Sequence, residues 1–320
     1  MDNKDIKHIK FLANVCDSLT VMGLLLSYFT LLAVIPFTLG TLMKWVIVGH
    51  PVLHGAYDHL DLPERFKKRN YAVGWRKPLD MFSWTNRSAW VYEHNALHHG
   101  NIGTVLDPDS PTTKFGWLKG KSDVHTYSVI FYHSLLSGYN YFGKYLIDVY
   151  NRKHEIKLSF VKDSVIPHLL AWLLILVPLI YFTTIAHAVL FFLLTEALTG
   201  FLAFAIISAT HIGGDIYRFK GKAKNKKDMM IREVMGTANY TSGNDFIDFF
   251  NGFLGYHAEH HLFPNKTHLW YRRAQPIVQK YCERRDINYV VEPLWKRTVR
   301  LFRTYARKEQ PKLYNQPKVI

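Results

Sequence analysis

Apolar residues in this chain fall in long blocks, and the polar residues lie between them. The first block runs from Leu19 to Val48, with no acid and with Lys44 as its only cation. As one helix, at ~1.5 Å per residue, it outruns the ~30 Å hydrocarbon core of a bilayer. It reads either as a long tilted helix or as part of a hairpin that borrows Phe11 to Asp17, with Pro36 and Gly40 as candidate break points. It exceeds the ~7–15 residues of a signal-peptide core, and no small-x-small site follows it. Two further blocks, 165–182 and 188–210, are joined only by Thr183 to His187, and Glu196 is their one acid. Spans joined so closely form a hairpin, which delivers Asp163 and His211 to the same side of the membrane. The pattern predicts an all-α membrane protein with spans near 19–48, 165–182 and 188–210. A helical cap follows from 49–164 and 211–320, the whole forming a single domain. Asp123 to Tyr150 mixes aromatic, aliphatic and basic residues and predicts an amphipathic helix, lying at the interface or packed on the cap.

Charge assigns the side. The 320 residues carry a net charge of +15. The cations gather in Glu64 to Arg87, in Arg218 to Arg232 and from Leu262 onward, while Thr183 to His187 has none. The positive-inside rule makes the cationic face cytoplasmic. No nucleic-acid recognition motif accompanies the charge, so no nucleic acid is expected as a partner. Topology and anionic membrane lipids account for the cations, and docking of an acidic electron carrier is a second use. A content of 48% hydrophobic residues excludes disorder. Two distant cysteines, Cys16 and Cys282, exclude a disulfide scaffold.

The unusual count is 17 histidines. Eight fall in three groups: His50 and His54; His94, His98 and His99; His257, His260 and His261. A ninth, His211, stands at the end of the last span. Residues three and four apart share a helix face, so each group offers convergent imidazoles. Adjacent His-His pairs suit two metals side by side, with His99 turned toward a second centre. Imidazole suits zinc, copper, iron and nickel alike, so ligand type leaves the metal open. His8, His59, His125, His133, His154, His168, His187 and His268 are isolated and read as ordinary polar residues.

At these positions the chain resembles the integral-membrane fatty acid desaturase family. The segments that carry the resemblance are GHPVLHG at 49–55, EHNALHHG at 93–100 with DPD at 107–109, THIGGDIYRF at 210–219 and NGFLGYHAEHHLFP at 251–264. Related hydroxylases and carotenoid ketolases share the set of three boxes. The resemblance implies a helical cap over the membrane bundle, holding two non-haem iron ions on His50, His54, His94, His98, His99, His211, His257, His260 and His261. It implies dioxygen-dependent removal of two hydrogens from neighbouring carbons of a fatty acyl substrate that is lipid-, coenzyme A- or carrier-linked. Two external electrons would come from a donor such as a ferredoxin or a small haem protein. An unactivated C–H bond needs such a cofactor-borne oxidant, since no side chain removes that hydrogen as a proton near pH 7. Hydroxylation or ketolation of a lipid or carotenoid by the same centre is the alternative. A membrane zinc hydrolase or a metal-storing protein would lack the dependence on dioxygen and reductant.

Two departures stand out. The middle box is HxxxHH where many members have HxxHH. The third begins with His257 where front-end desaturases usually carry Gln, which argues against a front-end enzyme. A fused haem-carrier domain is not expected, and a multi-pass protein of a bacterial inner membrane is. Candidates to orient the imidazoles are Asp58, Asn95, Asp107, Asp109, Asp215 and Glu259. Aromatics that could line an acyl channel are Trp75, Trp84, Trp90, Phe115 and Trp117.

Overall fold

In the computed structural model, which describes residues 2–108, 118, 120–137 and 161–314, the first apolar block is two helices. Helix α1 (Asp2–Leu26) and helix α2 (Leu31–Leu53) meet at a turn in which Thr30 N donates to Leu26 O at 3.0 Å. Thr30 then caps α2 by accepting from Leu32 N. Neither expected break point acts as one. Pro36 follows the tight first turn of α2, Leu31–Ala33, as the third residue of the α-helical stretch Val34–Met43, where a missing N–H costs little. Gly40 lies inside the helix because a side chain there would not fit: its Cβ would stand 2.5 Å from Thr20 N. Gly23 opposes it in the same seam, its Cβ falling 2.5 Å from Phe37 N. Lys44 of α2 pairs with Asp17 of α1 alongside.

After α2 come α3 (Arg87–Tyr92) and α4 (Asp123–Leu135). The described part of the expected amphipathic segment is helical; its continuation toward Tyr150 lies outside the described residues, as do Asp109, Phe115, Trp117 and His154. Helices α5 (Val161–Phe182) and α6 (Ile185–Thr210) are the second hairpin, with a connection shorter than the sequence suggested because Thr184 already caps α6. Four described helices are thus long and apolar enough to cross a membrane.

Two compact units are distinguished, residues 1–91 with 133–203, and residues 92–132 with 204–320. In the first, His187 Nε2 lies 2.6 Å from Ser27 O, so the α1–α2 and α5–α6 turns share one end. Phe37, Trp172, Leu179, Ala188 and Phe191 form the apolar seam between the spans. Leu174 and Tyr181, 77% and 81% exposed, face outward, as a lipid-bathed surface requires.

The second unit adds β-structure that the all-α pattern did not announce, in four three-residue strands among the described residues. Strand β1 (Tyr217–Phe219) precedes α7 (Lys226–Met235), β2 (Ala238–Tyr240), α8 (Asp245–Phe250), α9 (His257–Leu262) and α10 (His268–Arg284). Strand β3 (Val290–Glu292), α11 (Leu294–Tyr305) and β4 (Lys312–Tyr314) complete it. Strand β1 pairs in parallel with β4, and β2 with β3. Asn225, Asn244 and Thr267 cap α7, α8 and α10 through side-chain oxygens.

Candidate metal centre

Seven of the nine predicted histidines lie in the second unit: His94, His98, His99, His211, His257, His260 and His261, all buried. They come from three places in the chain. The first trio sits where α3 runs on into a widened turn, Glu93–His98, with i→i+5 geometry. That geometry answers the irregular box. In a regular α-helix His94 and His99, five apart, would point ~140° away from each other. The wide turn accommodates one extra residue, so positions i, i+4 and i+5 fall on one face. The His94 ring is 5.2 Å from His98 and 4.9 Å from His99. The His98 and His99 rings stand at 78° to each other, and His99 stacks on His261 at 4.4 Å.

The third group sits on α9, which follows a strained approach. Phe253 is buried at φ 56°, and Gly255 leaves no room for a Cβ, which would stand 2.5 Å from Ser242 Cβ. Those constraints explain the NGFLG run before His257. His211 follows the last turn of α6, outside any helix. Its position is set by Arg297, a fully buried side chain whose guanidinium donates to the carbonyls of Ala209 and Ile212 at 3.0 to 3.1 Å. Arg297 also takes Asp215 at 2.6 and 2.7 Å, so Asp215 braces the loop through an ion pair and does not share a helix face with His211. Arg218 donates to the His211 carbonyl.

The ring nitrogens converge. His257 Nε2 lies 2.8 Å from His211 Nε2 and 3.2 Å from His261 Nε2. One ring nitrogen each of His98, His211 and His261 lies within 4.8 Å of the others, and the same holds for a ligand atom each of His99, Glu233 and His261. These two triads share His261. Carboxylates stand behind two of the rings. Asp107 Oδ1 is 2.8 Å from His98 Nδ1, and Asp107 Oδ2 is itself held by Gly103 N at 3.0 Å. Glu233 Oε2 is 2.8 Å from His261 Nδ1. A carboxylate accepts, so each of these Nδ1 atoms carries the hydrogen and Nε2 is left as the donor atom for a cation. Burial, reinforced by the neighbouring imidazoles, holds His211 and His261 well below the usual histidine range, so both are neutral. Burial pushes the Glu233 carboxyl well above its usual range, so the charged form that accepts from His261 Nδ1 is the one a cation bound beside it would hold. A set of neutral imidazoles with a buried carboxylate is the donor set that a first-row divalent metal takes, and the residues fit such a group.

Among the proposed orienting residues, Asp107 meets a histidine as described. Glu259 does a different job: it accepts from Asn239 Nδ2 at 3.0 Å and Tyr289 OH at 2.8 Å, tying α9 to β2 and to the residue before β3. Asp58 accepts from Lys68 N in an exposed turn. Glu233 and Arg297 were missed. Glu233 offered a signal, an acid followed at once by Val234 and Met235 in an otherwise cationic stretch; Arg297 was hidden among the C-terminal cations.

The remaining pair, His50 and His54, belongs to the first unit, at the end of α2. Their rings are 5.0 Å apart, and the edge of Trp90 reaches both, at 5.6 and 6.3 Å. Trp90 therefore packs on histidines, which accounts for one of the aromatics considered for a channel.

Comparison with known proteins adds a family. Residues 28–293 match the sequence model described as fatty acid desaturase. The acyl-lipid (8-3)-desaturase B of Dictyostelium discoideum is 24% identical over 72% of this chain and 55% of its own length. The sn-1 linoleoyl-lipid 6-desaturase of Synechocystis is 24% identical over 79% of this chain and 72% of its own. Fatty acid desaturase 3 of Bos taurus is 31% identical over 41% of this chain and 28% of its own. The chain thus spans about half the length of the first of these relatives. No solved structure matches.

Proposed function

The chain belongs to the fatty acid desaturase family, and from that premise we propose that it desaturates a fatty acyl chain at a centre of two iron ions held by the nine histidines. The observation that carries the reading is the gathering of seven buried imidazoles from three distant segments, with carboxylates behind His98 and His261. His50 and His54 join the set on the family pattern. Iron held there would supply the reductive activation of dioxygen that an unactivated C–H bond requires. The chain's own residues do the rest. Asp107 and Glu233 fix ring orientation, burial keeps His211 and His261 unprotonated, and Arg297 holds the loop that carries His211. The relatives named for acyl-lipids favour a lipid-linked acyl group as the substrate. The cationic surface of the second unit suits an acidic electron donor, a ferredoxin or small haem protein, and supports a cytoplasmic face for the cap.

The test is expression in a host that makes no polyunsaturated fatty acids, followed by fatty-acid profiling and iron analysis of the purified protein. Loss of two hydrogens from a host acyl chain is expected, together with iron in the protein. His98→Ala and His260→Ala are expected to insert but yield no new double bond. A product heavier by oxygen would instead identify a hydroxylase, and full activity in either variant would remove the ligand assignment.

A further inference from the structure

Helix α10 of the second unit has two unlike faces. Tyr271, Ala274 and Cys282 are buried. Arg273, Ile277, Lys280, Tyr281 and Arg284 recur at spacings of three and four and form one exposed stripe. Ile277 is 71% exposed and Tyr281 55%, large values for apolar side chains on a soluble cap. Arg285, just past the helix, holds its guanidinium 5.7 Å from the centre of the Tyr281 ring. From Lys266 to Arg285 the chain carries six cations and one acid, Glu283. Arg272 is the inward member of the six and pairs with Asp245 and Asp248 at 2.6 and 2.7 Å. Among the described residues no acid pairs with Arg273, Lys280 or Arg284. The stripe is a small apolar centre set among uncompensated cations.

The inner face of the same helix reaches the histidines. Tyr271 is 2% exposed, and its hydroxyl lies 3.4 Å from Nδ1 of His260. That hydroxyl donates to Phe263 O at 2.8 Å, so in the His260 contact it accepts, and the imidazole carries its hydrogen on Nδ1. Nε2 of His260 is then the atom available to a cation. Lys266 N closes the arrangement by donating to the Tyr271 hydroxyl at 3.3 Å. The Tyr271 ring stands 5.9 Å from the His260 ring and 5.9 Å from the ring of its half-buried neighbour Trp270. Stripe and imidazole are thus separated by about the width of one helix, ~10–12 Å with side chains. Electron tunnelling weakens steeply with distance and is carried best through bonds. Covalent bonds of α10 and one hydrogen bond span the whole interval.

We propose that the exposed stripe of α10 is the docking surface for an acidic one-electron carrier, and that Tyr271 couples the docked carrier to the metal centre through His260. This rests on the desaturase reading, which needs two electrons from outside. Each docked carrier is oxidised by one electron, and that electron reduces one ferric ion of the centre to ferrous, so two dockings supply the pair. An apolar centre among cations suits brief, salt-sensitive encounters, since redox partners meet over small areas and peripheral charge governs how fast they find each other. An anionic lipid surface would answer the same cations but would leave the link from Tyr271 to His260 without a use.

The probes are a plant-type ferredoxin and the soluble haem domain of cytochrome b5, tested against the protein in nanodiscs of neutral phosphatidylcholine. Binding to the metal-free protein is followed by biolayer interferometry at low and high salt, and reduction of the iron-loaded protein by stopped flow. Arg273→Glu, Lys280→Glu and Arg284→Glu together are expected to slow association by ~10-fold or more at low salt, a difference that fades at high salt. Lys222→Glu, Lys224→Glu and Lys227→Glu make the same change of charge on exposed lysines of the same unit and are expected to slow it far less. Tyr271→Phe is expected to bind the carriers as the wild type does but, compared per bound iron, to accept the electron more slowly. Should Tyr271→Phe fail to insert, the two triple variants decide the matter. A wild-type protein that binds neither probe, equal slowing by the two triple variants, or an unchanged electron-transfer rate in Tyr271→Phe would overturn the proposal. So would a stripe variant that loses binding to phosphatidylglycerol vesicles while keeping both carriers, which would identify a lipid-facing surface. In each of these cases a double bond still formed by the wild type leaves the desaturase reading standing. Carrier docking and iron reduction in a wild-type protein that forms no double bond would overturn that reading and keep the docking surface.

Discussion

Replacing Glu233 by leucine probes the metal centre from behind. Glu233 on α7 and His261 on α9 meet at 2.8 Å with side chains 2% and 0% exposed, so no water substitutes for the lost partner. Leucine fills much of the same volume but cannot accept. A buried donor left without its acceptor costs ~1–3 kcal/mol, which should lower the melting temperature of the metal-free protein. The same change frees the ring whose nitrogen both triads share. Removal of a carboxylate behind a ligating histidine weakens metal binding by ~10–100-fold, or ~1.4–2.8 kcal/mol at ~1.4 kcal/mol per decade. The assay is a chelator titration of wild type and E233L in nanodiscs, with retained iron measured by mass spectrometry and melting followed on the metal-free forms. Glu233→Gln, which keeps an acceptor oxygen, should fall between the two. If E233L retains iron against the same chelator and melts with the wild type, His261 is not oriented by Glu233 and the reasoning fails.

Arg297→Met leaves Asp215 to Arg300 and strands the carbonyls of Ala209 and Ile212 beside His211; buried acceptors left without their donor cost ~1–3 kcal/mol each, seen as a lower melting temperature. Arg297→Lys should rescue little, because an ammonium lacks the planar fork that reaches Ala209, Ile212 and Asp215 together. Burial pushes the Lys77 ammonium down to about 7 from 10.5, so the folded chain binds fewer protons than the unfolded one between those values, and its stability rises with pH across that window. Lys77→Met should remove that slope, melting above the wild type near neutral pH and converging with it toward pH 10.5, as scanning fluorimetry across pH will report. Deleting Ala96 turns HxxxHH into HxxHH and lets the wide turn relax to an ordinary helix with i, i+3 and i+4 ligands. Iron content should survive the deletion and be lost when one residue is added at the same place.

The membrane hairpins and the histidine clusters were legible in sequence because each is a local pattern. The turn between α1 and α2 was not, since Ser27 to Thr30 carries neither glycine nor proline, whereas Pro36 and Gly40, the conventional signals, serve helix start and helix contact. Regular helical spacing did not announce the widened turn at the middle box, because periodicity presumes 3.6 residues per turn and the chain departs from it there. The orienting set was half legible. Asp107 follows its box closely in sequence, whereas Glu233 and Arg297 reach their partners only through tertiary folding, and Asp215, spaced correctly for a helix, stands where no helix forms.

The seam where Gly23 meets Phe37 and Gly40 meets Thr20 has a mechanical consequence. Hydrocarbon offers no hydrophobic drive for two helices to associate, so this pair adheres through close backbone fit and the Asp17–Lys44 pairing. Helix α2 then behaves as a lever pinned at the seam, with His50 at its far end, about 20 Å beyond Phe37 at ~1.5 Å per residue. A methyl group added at Gly23 would pry the pivot open, and the displacement would grow along the arm toward the imidazole.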